Sequence, residues 1–233
     1  MSSGVSHRRR AALLAGLGAL GAGAAGFALT GVRPAWADGS EPVAGVDYTV
    51  LTNPQPTDAP PGKIQVLDFF WYGCPHCYAF LPYLEAWQKK LPADVDFEHV
   101  PVAFNPSTEP HSRIFYSLKA LGLVDEMHAK VFDAYHNRHM RLLDPGEIAD
   151  FMAANGIPRA KWLAVYNSFS VSSDVNRANM MVQSYQIDGT PTLACDGRFL
   201  TSPAIASSHT PEGALAVVDY LIARVRSERA HQG

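Results

Sequence analysis

Apolar residues in this chain alternate between short, nearly continuous runs and longer stretches where they recur at helical spacing. The run Ile64 to Phe70, with Val66, Leu67, Phe69 and Phe70, reads as the strongest strand, and its continuity predicts a sheet buried on both faces. Tyr48 to Leu51 predicts a short strand before it, and a proline-rich connector from Pro54 to Gly62 joins the two. Cys74 to Lys90 places Tyr78, Leu81, Leu84, Glu85 and Gln88 at helical spacing, with Pro82 predicting a kink. Val95 to Ala103 predicts a further strand.

The pattern then turns helical over Ile114 to Leu121, Val124 to Tyr135, Ile148 to Ala154, Trp162 to Phe169 and Val171 to Tyr185. Asp144-Pro145-Gly146-Glu147 offers an N-cap, a proline suited to the first helical position and a glutamate three residues after the cap, while Asn155-Gly156 supplies a stop. Strand character returns at Thr192 to Cys195, Asp196-Gly197 predicts a turn, and Arg198 to Leu200 completes a hairpin. Glu212 to Arg226 closes the chain as an amphipathic helix. This layout predicts an α/β sheet domain interrupted by a helical domain.

The 233 residues, 47% of them hydrophobic, suffice for a core without disulfide staples, and three cysteines do not make a stapled scaffold. The first 37 residues read as an export signal: Arg8, Arg9 and Arg10, an apolar run from Ala11 to Leu29, then Ala35-Trp36-Ala37 as a cleavage site ahead of Asp38. An uncleaved membrane anchor is the competing reading, and the adjacent arginines admit twin-arginine export. Removing Arg8, Arg9, Arg10 and Arg33 leaves 15 basic residues against 22 acidic ones, a net charge of −7. An acidic chain without a basic, aromatic-interleaved patch is not a nucleic-acid binder. Export would place its thiols in an oxidising compartment.

Candidate chemistry centres on FFWYGCPHCYAF, Phe69 to Phe80. Unpaired N–H groups and partial positive charge at a helix start favour a thiolate at Cys74. Pro75 needs no N–H in the first turn and holds the two sulfurs within reach of each other. His76, when protonated, adds positive charge beside the same sulfur, and Cys77, one turn further in, is expected to be more buried and less acidic. Zinc would require four ligands where the sequence offers one CxxC and an isolated Cys195; covalent haem would require histidine where Tyr78 stands. A purely structural local disulfide stays open.

A strand, then CPHC opening a kinked helix, then a late Thr-Pro before a hairpin resembles the thioredoxin superfamily, and within it the DsbA family of periplasmic thiol:disulfide oxidoreductases. Besides FFWYGCPHCYAF, the resemblance rests on DGTPTL, on the helical stretch between the Val95 and Thr192 strands, and on Asp68, six residues before Cys74. It implies a thioredoxin-like domain over residues 38–104 and 187–233, with an inserted helical domain over 105–186. It further implies a redox disulfide between Cys74 and Cys77, no bound cofactor, and a cis bond at Thr190-Pro191 that leaves Thr190 free to pair with an extended substrate segment. Implied partners are reduced, newly exported proteins and a DsbB-like, quinone-linked membrane oxidase, with the chain itself monomeric and periplasmic.

Other residues divide between bland and functional readings. Asp68, a carboxylate in an apolar strand, either trades protons with Cys77 or is hydrated beyond the strand's end. Cys195 reads as a buried small hydrophobe. Trp71 and Tyr72 suit either a peptide-binding surface or core packing. His99, His111, His128, His136 and His139 look scattered, with solvated surface the default; His136 and His139 share a predicted helix face without a third metal ligand. A disulfide isomerase or reductase would use the same CPHC, and a non-catalytic peptide-binding chaperone would survive Cys74→Ser.

Overall fold

The computed structural model describes residues 41–231, so the expected export signal lies outside the described residues. Strand β1 spans Thr49–Val50 and β2 spans Ile64–Phe70, followed directly by helix α1, Pro75–Gln88. After β3, Val95–Pro101, come α2 (Glu109–Leu121), α3 (Val124–His136), α4 (Pro145–Ala154), α5 (Arg159–Tyr166) and α6 (Phe169–Ser184). The chain returns through β4 (Thr192–Cys195) and β5 (Phe199–Thr201) to α7, Pro211–Ala230. Sheet order is β1-β5-β4-β2-β3, with β2 and β3 parallel and the other pairs antiparallel. No helix among the described residues is long and apolar enough to cross a membrane.

Strand β2 lies between β4 and β3, and every one of its residues is buried, Gln65 and Asp68 along with the apolar run. Its side chains alternate between two apolar layers. Leu67 and Phe69 pack with the α2–α6 block, whereas Ile64 and Val66 pack with Leu193, Cys195, Phe199 and the apolar face of α7. The helical block therefore shares its core with one face of the sheet. Trp162, Met127 and Leu118 at its centre are fully buried.

Helix starts follow the expected polar chemistry. Asp144 Oδ1 accepts from the backbone N–H groups of Gly146 and Glu147, and Ser168 and Thr210 cap α6 and α7 in the same manner. Apolar spacing places these starts too late. Helix α2 begins at Glu109, five residues before Ile114, because Pro110 fits a first turn whose other residues, Glu109, His111 and Ser112, are polar and carry no apolar periodicity. Likewise α7 runs on to Ala230, past Arg226, its last turns held by Arg224–Glu228 and Arg229–Asp196 ion pairs.

Asp196 and Gly197 both take positive φ, +53° and +66°, which gives the β4–β5 hairpin its tight turn. Gly197 is needed for a second reason, since a Cβ there would collide with the Gln55 carbonyl. Hydrogen bonds from Gln55 N–H to Gly197 O and from Leu51 N–H to Arg198 O fasten the proline-rich connector along this hairpin.

Candidate active site

Strand β2 ends at Phe70, and four residues later Cys74 serves as the N-cap of α1. Its sulfur accepts the Cys77 backbone N–H at 3.4 Å, a role usually held by a serine or aspartate oxygen. Pro75 takes the first helical turn, and Pro82 sits inside the helix. The opposing wall is the loop before β4, where the Thr190–Pro191 bond is cis, as the resemblance implied, and Thr190 O lies 3.2 Å from Cys74 Sγ. Cys74 and Cys77 are both thiols here, and both are buried.

The two sulfurs are strongly unlike. A hydrogen bond from the Cys77 side chain is the largest cause pulling the Cys74 thiol down to about 5. The Thr190 side chain and the backbone N–H groups of Cys77 and His76 add to it, against the opposing effect of burial. Cys77 moves the other way: burial pushes its thiol far up, and the neighbouring Cys74 and Asp68 charges reinforce it. His76 thus acts on Cys74 through its backbone, while its ring lies exposed in the wall of a groove of about 510 Å³. Ala79, Thr190, Pro191, Ile205 and His209 also line that groove.

Asp68 is buried within β2, which continues two residues beyond it, so the reading that the strand had ended does not hold. Its partner is His99, directly across the parallel β2–β3 ladder, with Nδ1 at 2.8 Å from Oδ2. Oδ1 has no hydrogen-bond partner among the described residues. Cys195 is fully buried between β2 and β5, where burial raises its thiol well above the ordinary value.

Of the five histidines that looked scattered, only His139 is exposed; His99, His111, His128 and His136 are not solvated surface. His128 is buried and its Nδ1 accepts the Tyr72 hydroxyl at 2.9 Å; its ring centroid lies 4.8 Å from that of His99. Burial, then the neighbouring His99, holds His128 well below the usual histidine value, and burial raises the Tyr72 phenol well above its own. His136 Nε2 donates to the Tyr72 carbonyl at 2.9 Å, and its ring stacks on Tyr78 at 4.8 Å. His111 is buried too and donates to the Arg141 carbonyl. Helix α3 ends at His136, so His139, at φ +57°, shares no helix face with it. Tyr72 is core, and Trp71 packs half-buried against Phe104, His111 and Tyr135.

Sequence reasoning missed this ring of α3 and β3 side chains because each member looked ordinary alone. The usable signal was phase: Asp68 and His99 each stand four residues after the start of adjacent strands.

A dithiol at a helix start, one sulfur acidic and one sealed in, facing a cis-proline loop across an apolar groove, is the site of a thioredoxin-fold dithiol–disulfide exchanger. A sequence model of the DSBA-like thioredoxin domain matches residues 65–209. The chain is 42% identical over 195 residues to the thiol:disulfide interchange protein DsbA of Burkholderia cepacia, covering 84% of this chain and 91% of that protein. It is 40% identical over 184 residues to the DsbA of Pseudomonas aeruginosa, covering 79% and 86%. A crystal structure of Pseudomonas aeruginosa DsbA superposes with a TM-score of 0.77 at 39% identity, over 81% of this chain and 96% of that one. The Xylella fastidiosa oxidoreductase DsbA gives 0.74 at 31% identity, over 81% and 100%. The chain belongs to the DSBA-like thioredoxin domain family, and it is a thiol:disulfide oxidoreductase.

Proposed function

We propose that this oxidoreductase runs in the oxidising direction, donating a Cys74–Cys77 disulfide to reduced, newly exported proteins in the periplasm. The supporting observation is the Cys74 sulfur itself, which caps α1 and is pulled down to about 5. Whatever stabilises that thiolate stabilises the dithiol protein, and so makes its disulfide the stronger oxidant. A substrate thiolate attacks Cys74, Cys77 leaves, and a mixed disulfide forms. A second substrate thiolate then attacks the substrate sulfur, and Cys74 departs as a stable anion.

In this reading Thr190 and Pro191 present a backbone edge to the substrate, and the groove beside His76 accepts its apolar side chains. Asp68 exchanges a proton with Cys77. Residues 1–37 form a cleaved export signal, 38–104 and 187–233 the redox domain, and 105–186 the inserted helical domain. A DsbB-like, quinone-linked membrane oxidase restores the disulfide, and the protein works as a monomer without a bound cofactor. The test is the reduction potential of the Cys74–Cys77 couple against glutathione, with oxidation of a reduced two-cysteine peptide followed in parallel. A potential near that of thioredoxin, about −270 mV, would overturn the oxidising assignment.

A further inference from the structure

Helices α1 and α7 lie side by side and begin at the same end, since His76 from the first turn of α1 and Pro211 from the first turn of α7 both line the groove at the active site. Phe80, Leu84 and Trp87 pack with Leu215, Val218 and Leu221 to seal the seam beneath. Further along that seam lies a second cavity, of about 400 Å³, which shares no lining residue with the groove. Tyr83, Trp87 and Lys90 of α1 and Glu212, Leu215 and Asp219 of α7 contribute to its walls. On α1, His76, Ala79 and Phe80 of the groove and Tyr83, Trp87 and Lys90 of the cavity fall on one helical face, so the two openings follow one another along a single track. From His76 to Trp87 the helix rises about 16 Å, a distance that about five residues of extended chain cover.

The cavity joins apolar walls to a carboxylate that is short of partners. Trp87 is buried, with its ring edge-on to Phe97 at 5.9 Å, and its Nε1 donates to Asp219 Oδ1 at 2.8 Å. Asp219 Oδ2 carries no hydrogen bond among the described residues. Burial raises the Asp219 carboxyl, against the Trp87 hydrogen bond and the Lys90 charge, so its anion is under-compensated where it stands. Glu212 sits exposed at the rim. Glu212 and Asp219 against Lys90 leave the lining with an excess of negative charge.

We propose that this cavity is a distal substrate subsite for a basic side chain, arginine above all, placed about five residues from the reacting cysteine of a segment that lies in the groove beside His76. The inference rests on the proposed use of that groove by the substrate. An arginine fits both parts of the lining: its methylene stem lies against Tyr83, Trp87 and Leu215, and its guanidinium reaches the open oxygen of Asp219 with Glu212 at the rim. A glutamate at the same place would meet like charge. A leucine would fill the walls and leave Asp219 without its counter-ion. The subsite touches neither sulfur, so it acts on capture of the substrate and leaves the exchange step as it is.

The experiment measures oxidation of reduced two-cysteine peptides by the oxidised protein under second-order conditions. One peptide carries its single arginine about five residues from the cysteine pair, and a partner of identical composition carries it about ten residues away, beyond the cavity. Both are made with the arginine on the N-terminal and on the C-terminal side. In one of the two orientations the nearer arginine is expected to speed oxidation about fivefold, and glutamate in its place to remove the gain. Asp219→Asn keeps an acceptor for Trp87 Nε1 and removes only the charge; it should abolish the positional advantage while reduction of the variant by dithiothreitol keeps its wild-type rate. Equal rates for both arginine positions in both orientations would overturn the proposal, as would a positional advantage that survives in Asp219→Asn. Ala79→Trp, which fills the groove itself, should slow every peptide; if it slows none, the groove reading on which the subsite depends is what fails.

Discussion

The Cys74 sulfur lies 3.4 Å from the Cys77 backbone nitrogen, so the thiol at the mouth of the site is also the cap of the helix behind it. Function and local folding are fastened at one atom. An anion there satisfies an otherwise unpaired N–H group and faces the positive end of α1.

Alkylation of Cys74 by iodoacetamide in the reduced protein is therefore expected to titrate with a midpoint near pH 5, well below the ordinary thiol value of 9.0. A midpoint between pH 8 and 9 would remove the basis for a stabilised thiolate. The same shift makes stability depend on pH. Because the folded value is depressed, its contribution is fully present above the unfolded thiol value and is lost as pH falls through about 5. Only the reduced form carries it. Denaturant titrations of both redox forms should show the reduced form gaining on the oxidised one between about pH 5 and pH 9.

Replacing the sulfurs one at a time should separate their roles. Cys74→Ser should abolish exchange with a reduced peptide. Cys77→Ser should leave Cys74 able to form a mixed disulfide that no longer resolves internally, visible as a stable adduct by mass spectrometry. Equal loss of adduct in both variants would contradict the division of labour.

Tyr72→Phe tests the link from α3 to the loop ahead of Cys74. It strands His128 Nδ1 in a fully buried site, and the expected loss is about 1–3 kcal/mol of unfolding free energy. Both redox forms should lose it equally, as read by denaturant midpoints, because neither sulfur bonds to Tyr72.

Gly197→Ala should be among the most harmful small changes outside the site. It forces an L-residue to φ +66° and drives a methyl group into the Gln55 carbonyl. A loss of about 2–4 kcal/mol is expected, measured by thermal or denaturant unfolding. Gly45, with positive φ but open surroundings, should lose less on the same substitution.

How much of this was legible in the sequence depends on range. The apolar run of β2, the Asp144 cap and the Asp196-Gly197 turn are decided by near neighbours, and they stand where the local pattern places them. The same holds for Cys74 at the start of α1. Helix starts at Glu109 and Pro211 were legible only through proline and capping residues, since the first turn is polar. Asp68 and His99 lie 31 residues apart, and Tyr72 and His128 lie 56 apart. Their pairing is created by strand register and by the return of α3 across the sheet, and no periodicity encodes either. Isolated histidines default to surface in such a reading, and here the core takes two of them.

Cys195 has no measurable exposure, lodged between β2 and β5 with its thiol held protonated by its surroundings. With its third sulfur walled off, the folded molecule offers Cys195 to neither active-site thiol, so in the proposed cycle the reactive thiols counted in the folded protein report how many Cys74–Cys77 couples are reduced.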